Sequence, residues 1–221
     1  MKRISATLAA AALMCSGATA QFVTTNPAIV QEDSPNVVIT YHADSPLGNG
    51  GLKGLSAGIP VYAHIGVITN LSRDNSDWKY TITEWPKSDG SNAQAVNTPK
   101  NTLTYIAANT YTLDLGNLRT FFNVTNPSEH ITKIAMVFRN SDGSKEGKTN
   151  TNGDILVDVL PAGFGITLSN DASSTLLDKP ATINFTVNAT SPADLTLSVN
   201  GTPFASKTNA TTLTAPYNFK D

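Results

Sequence analysis

The chain has 221 residues, 40% of them hydrophobic and 14% charged, with a formal net charge of -2. That apolar share suffices for one or two packed domains, and the low charge excludes a long helical bundle or coiled coil. A sequence pI near 5.9 with no Lys/Arg block excludes the basic face of a nucleic-acid binder, and recurring apolar alternation excludes a disordered chain.

The first twenty residues read as an address. Met1-Lys2-Arg3 is a cationic start, residues 4–14 are mostly apolar, and Ala18-Thr19-Ala20 has the Ala-x-Ala form that signal peptidase accepts. A signal peptide over 1–20, cleaved after Ala20, predicts a secreted or cell-surface protein; a buried N-terminal helix is the alternative. The apolar run is too short for a permanent transmembrane helix, so no transmembrane segment is expected. Cys15 is the only cysteine, and Met14 before it disfavours lipidation, which stays open as a second route of export. A chain starting at Gln21 then has no cysteine and must hold itself by its core. Loss of Lys2 and Arg3 takes the net charge to -4, with no call for a charged partner.

Period-two runs follow. In residues 37–41, Val37, Ile39 and Tyr41 share an apolar face, with Val38 on the other. Residues 61–65 put Val61, Ala63 and Ile65 on one face, Tyr62 and His64 on the other. Residues 78–82 alternate cleanly, as do 111–115, and 134–138 and 154–159 complete the set. Turn clusters separate the runs, as at Leu47-Gly48-Asn49-Gly50-Gly51 and Asn140-Ser141-Asp142-Gly143. Only residues 116–124 suggest a helical turn. No segment holds a 3.6-residue period for three turns, which excludes crossover helices. An all-β fold remains, an antiparallel β-sandwich of roughly seven or more strands over residues 21–162.

Composition shifts at Pro161-Ala162-Gly163-Phe164-Gly165, beyond which there is neither Trp nor His. Residues 183–187 and 195–199 read as strands with one apolar face, and Asn200-Gly201 is a hairpin turn. Residues 163–221 thus look like the start of an immunoglobulin-like β domain, with about four or five strands against about seven in a complete one. The expectation is a truncated domain whose natural polypeptide continues past Asp221.

Candidate chemistry is sparse. His42, His64 and His130 are far apart with no zinc spacing, and no cofactor is expected. Asp142-Gly143-Ser144 and Asn152-Gly153-Asp154 offer oxygens for calcium but lack EF-hand spacing, and turn formation explains both. No Gly-x-Ser-x-Gly elbow or phosphate-cradling loop is present. Asp77 and Glu84 flank the tryptophans as a possible hydrolytic pair, or as solvated loop carboxylates. Asn-x-Thr triplets such as Asn123-Val124-Thr125 matter only in a glycosylating host. No catalytic residues are assigned.

The aromatic cluster carries more. Trp78, Tyr80 and Trp85, with Lys79 supplying an ammonium among them, form the densest aromatic patch and hold both tryptophans. A sugar ring has an apolar C–H face and polar edges, which a flat indole beside imidazole or ammonium groups matches. The alternative is that both tryptophans are core. On a regular strand Trp78, Tyr80 and Ile82 would share one face, and Trp85 before Pro86 would lie in a loop.

Val61-Tyr62-Ala63-His64-Ile65-Gly66, then Asp77-Trp78-Lys79 and Trp85, resembles the His-x-Gly…Trp pattern of starch-binding β-sandwich modules. The run from Val137-Phe138-Arg139-Asn140 through Asp142-Gly143-Ser144-Lys145-Glu146-Gly147-Lys148 is similar to the N-terminal region of secreted alpha-amylase-type proteins of Bacteroidetes bacteria, as is the start from Phe22 to Val30. The resemblance covers about residues 22–160. It implies a carbohydrate-binding-module-like sandwich and an immunoglobulin-like domain ahead of a catalytic (β/α)8 barrel lying beyond Asp221. It implies an α-glucan (starch) ligand, with His64 hydrogen-bonding sugar hydroxyls and Trp78 as the first stacking platform. Such modules usually have a second tryptophan soon after the Asp-Gly turn, where this chain reads Ser144-Lys145-Glu146-Gly147; Trp85 or Tyr80 would have to replace it. Without two platforms binding would be weak, and the missing one favours the alternative function, a ligand-free spacer of an extracellular hydrolase.

Overall fold

The computed structural model describes residues 6–8, 22–172 and 181–219. The expected signal peptide and its cleavage point lie outside the described residues, except Ala6–Leu8. The fold is all-β: strand accounts for 48% and helix for 6%. The chain divides into two compact units, residues 20–162, and residues 163–221 with 1–19.

Strand β1 is Ala6–Leu8 and belongs to the second of these units. In the unit 20–162, β2 (Val23–Asn26), β3 (Val37–His42), β5 (Thr104–Ala107) and β6 (Thr110–Gly116) form one antiparallel sheet in the order β2-β3-β6-β5. In a second sheet β4 (Tyr62–Thr69) pairs along β7 (Ile131–Arg139), from Tyr62 opposite Arg139 to Thr69 opposite Ile131. The other edge of β7 is shared by β8 (Glu146–Gly147) and β9 (Ile155–Asp158). Alternation sets the inward faces, as the pleat requires. Val37, Ile39 and Tyr41 of β3 and Tyr111, Leu113 and Leu115 of β6 pack against Ala63, Ile65 and Val67 of β4 and Ile134, Met136 and Phe138 of β7. Across this layer the Tyr41 and Phe138 rings stack with centroids 4.1 Å apart. The helical turn expected within 116–124 is α2 (Leu118–Phe122), which buries Leu118 and Phe122. The Asn117 side chain accepts the Thr120 N–H at its start, and Asn123 closes it in the left-handed conformation.

The second sheet is covered on both faces. Val137 and Arg139 point away from the core yet are only 3% and 0% exposed. Residues 70–103, between β4 and β5, run over that outer face and hold α1 (Ala93–Val96) and a 3-10 turn, Pro99–Asn101. Asn101, fully buried, fastens this excursion: its amide donates to the Ala63 and Val96 carbonyls and its Oδ1 accepts from Thr98.

In the other unit, β10 (Ile166–Asn170), β11 (Ala181–Val199) and β12 (Thr202–Phe219) form an antiparallel sheet, with β1 parallel to the end of β11. The hairpin turns at Asn200-Gly201, both residues at positive φ (49° and 80°), the geometry a tight I′ turn demands. The strands expected at 183–187 and 195–199 are one continuous β11, with register shifts between Asn188 and Leu195 and again between Leu197 and Ser198. Those shifts bend it. Phe204 and Tyr217, thirteen residues apart on β12, would be about 43 Å apart on a straight strand, yet their ring centroids lie 4.9 Å apart. The hairpin doubles back, burying Val187, Leu195, Leu197 and Leu213 in the fold.

Candidate functional site

The site is built where the excursion meets β4. Lys79 pairs with Val67 through two main-chain hydrogen bonds of 2.9 and 2.7 Å, and the Ile82 N–H donates to the Ile65 carbonyl at 3.0 Å. A regular antiparallel ladder would bring Thr81 to Ile65, so one extra residue is inserted, and Tyr80 sits at φ 54°. Residues 78–82 are therefore a bulged edge segment and not the regular strand that clean alternation predicts. The extra residue inverts the facing beyond it. Ile82 turns inward against the core, while Trp78 stays on the outer face with His64. Gly66 permits the approach: a Cβ there would lie 2.9 Å from the Lys79 carbonyl oxygen and 3.1 Å from Thr81 Oγ1.

Three rings meet on this outer face. The His64 imidazole stacks on the Trp78 indole, centroids 5.6 Å apart at 26°, and meets Trp85 edge-on at 5.2 Å and 84°. Both indoles are half-buried. With Val137 they line an open groove of about 470 Å³, within the size range of ligand pockets. Burial pushes the His64 pKa below its ordinary value, and the nearby Arg139 charge lowers it further; Asp154 and a hydrogen bond to the Thr83 main chain oppose this only in part. The ring is thus neutral at pH 7, with its Nδ1 enclosed and unpartnered. In this geometry His64 spaces and supports the two indoles.

Each indole has its own support. Trp78 follows a turn closed by Asp77, whose carboxylate accepts the Arg73 N–H at 3.0 Å, holding it below the usual carboxylate range. Asn92 brackets the Trp85 loop, donating to the Trp85 carbonyl and accepting the Lys87 N–H. The Trp85 indole also abuts Gly143, where a Cβ would stand 3.2 Å from its Nε1. Trp85 is therefore the tryptophan beside the Asp142-Gly143 turn. Under it, 5.9 Å from the ring, lies the Arg139 guanidinium, which also faces Tyr62 at 5.2 Å. Arg139 donates to Asn97 Oδ1 and to the carbonyls of Val96 and Asn140, at 2.7, 2.7 and 3.0 Å. A buried cation held by neutral acceptors ties α1, the Asn140–Gly143 turn and β7 together beneath one indole.

Of the five residues singled out in the sequence, His64, Trp78 and Trp85 converge. Tyr80 and Lys79 do not join them. The Tyr80 hydroxyl donates to Glu129 Oε2 at 2.7 Å, which raises the phenol's pKa and lowers that of Glu129. Thr69 Oγ1 donates to the other Glu129 oxygen at 2.8 Å, so Tyr80 pins the bulge to a buried carboxylate. Lys79 Nζ lies 3.8 Å from Asp77. Asp77 lines the groove and Glu84 is exposed outside it. Sequence reading did not single out Arg73, Arg139, Lys148 or Asn101 for the site. The available signal for Arg139 was an arginine closing the apolar run Ile134–Phe138.

Among the described residues no three His, Cys, Asp or Glu side chains cluster as metal ligands, and no helix is long and apolar enough to cross a membrane. No protein-family model matches this chain, and no curated protein matches it significantly.

Proposed function

We propose that the unit 20–162 is a non-catalytic α-glucan-binding module of an exported amylase-type protein engaged in polysaccharide breakdown. One observation carries this reading: both indoles lie on the outer face of a sheet, beside an open groove, and not in the layer between the sheets. An indole so placed offers a glucose unit a flat apolar surface, worth about a kilocalorie per ring, and charged groups on the walls meet its hydroxyls. Trp85 beside Gly143 supports the reading further, since it supplies a second aromatic platform near the Asp-Gly turn. Export and a downstream catalytic barrel belong to the same proposal on the sequence resemblance alone.

The protein is expected to be retarded in native gels containing amylopectin, and Trp78→Ala to migrate as if the polysaccharide were absent, with unchanged circular dichroism. Wild-type migration indifferent to amylopectin overturns the proposal. That result would favour a ligand-free spacer, which the enclosed His64 Nδ1 and the mutual packing of the three rings also accommodate.

A further inference from the structure

The groove's aromatic floor is bordered by charge. Two cations, Arg73 and Lys148, and three carboxylates, Asp77, Glu146 and Asp154, line it. Four of these are already joined: Arg73 Nε lies 3.5 Å from Asp77, and Lys148 Nζ lies 2.6 Å from Glu146. Asp77 is also met by Lys79 Nζ at 3.8 Å, whereas Asp154, exposed immediately before β9, is the lining carboxylate without an ion pair among the described residues, so the Glu146–Lys148 end of the wall carries the excess of negative charge.

We infer that the Glu146–Lys148 pair and Asp154 form the polar wall of the groove, selecting neutral hexopyranose chains over anionic, uronate-type glycans. This rests on the glycan-binding reading above and names the ligand class of the same site. A sugar hydroxyl both donates and accepts, and a neighbouring pair of hydroxyls does so at two adjacent points. An ammonium beside a carboxylate answers both roles at once: Lys148 has three N–H donors and uses one on Glu146, whose oxygens keep free lone pairs. A uronate carboxylate at this wall would instead meet the two charges of Glu146 and Asp154 against the single one of Lys148, and like charges brought together reject the wrong partner. The pair is also free for this task. Its side chains are 26% and 32% exposed, so both remain accessible from the groove that they line.

Titration calorimetry with maltoheptaose and with a galacturonate oligomer of equal length tests this. Wild type is expected to bind maltoheptaose at least about tenfold more tightly than the galacturonate oligomer. Lys148→Met is expected to weaken maltoheptaose binding about tenfold, the loss of one charge-assisted hydrogen bond, with the melting midpoint unchanged. Asp154→Asn is expected to fold as wild type and to narrow the gap between the two oligomers. Maltoheptaose binding with both variants indistinguishable from wild type overturns the inference and leaves the glycan-binding reading intact. Equal or tighter binding of the galacturonate oligomer by wild type also overturns it. Binding of neither oligomer overturns the glycan-binding reading itself, and this inference with it.

Discussion

His64 stands on the outer face of β4 with an indole stacked against it, a second indole at its edge and a buried guanidinium nearby. Burial and the Arg139 charge favour the uncharged ring and outweigh the opposing pull of Asp154 and the Thr83 main chain, so the folded state binds the imidazole proton less readily than the unfolded chain, where histidine titrates near 6.5. As pH falls through that value the unfolded state takes up more protons and stability drops. The contribution is complete above the ordinary histidine pKa and is lost on acidification. Glu129, lowered first by the Tyr80 hydroxyl, and Asp77, lowered first by the Arg73 N–H, lose theirs only below their ordinary values of 4.5 and 3.8. The two windows separate. The wild-type melting midpoint is expected to fall between about pH 7.5 and about pH 5.5. His64→Gln should be flatter there, and both proteins should lose stability together below pH 4.5. Superimposable profiles of the two proteins above that point would contradict the enclosed neutral imidazole. His64, Trp78 and Trp85 were legible as residues because rings and a histidine stand out in a Thr- and Asn-rich chain. Arg139 was not, since in an alternating strand its position reads as solvent-facing, and its burial comes from residues some forty positions earlier.

At the level of elements, alternation located β3, β4, β6, β7 and β9. It misjudged residues 78–82. An inserted residue leaves the pattern of side-chain types intact while inverting which face they occupy, so no count of alternating positions detects it. What detects it is the partner strand. Gly66 lies opposite this segment because a side chain there would strike the Lys79 carbonyl and Thr81. Gly66→Val is therefore expected to push the segment off β4, destabilising the unit by about 1–3 kcal/mol in urea titration. The indoles would lose their support on His64, so tryptophan emission should shift to longer wavelength and amylopectin retardation should fall. A Gly66→Val protein with wild-type stability and emission would show that the bulged segment does not depend on this close approach. β11 shows the converse: residues 183–187 and 195–199 were each recognisable, yet the irregular 188–194 stretch reads in sequence as a break and folds as a bend within one strand.

Across the whole sandwich, β7 serves both purposes of the fold because its faces alternate. Phe138 faces the other sheet and stacks on Tyr41, which in turn meets Phe22 at 5.3 Å and Tyr111 at 6.0 Å. Arg139, the next residue, faces the opposite way and braces Trp85, while Val137 lines the groove. The antiparallel all-β class was readable from periodicity and turn residues, whereas the covering of the second sheet by residues 70–103 was not, since that excursion carries little regular structure of its own. Core and site therefore share a strand but not a face, and a substitution can separate them. Phe138→Ala removes a fully buried ring and leaves a cavity, at a cost of about 3–5 kcal/mol, set against a total of about 5–15 kcal/mol for a typical domain. The variant is expected to melt well below wild type. At low temperature, where it is still folded, its amylopectin retardation should equal that of wild type, because no ring on the outer face has been touched. On warming, binding and near-ultraviolet circular dichroism should be lost together, at a temperature where wild type retains both. A variant that melts like wild type, or that binds weakly while still fully folded, would mean that the Tyr41–Phe138 layer is not what holds the sheets together, or that the groove is not independent of it.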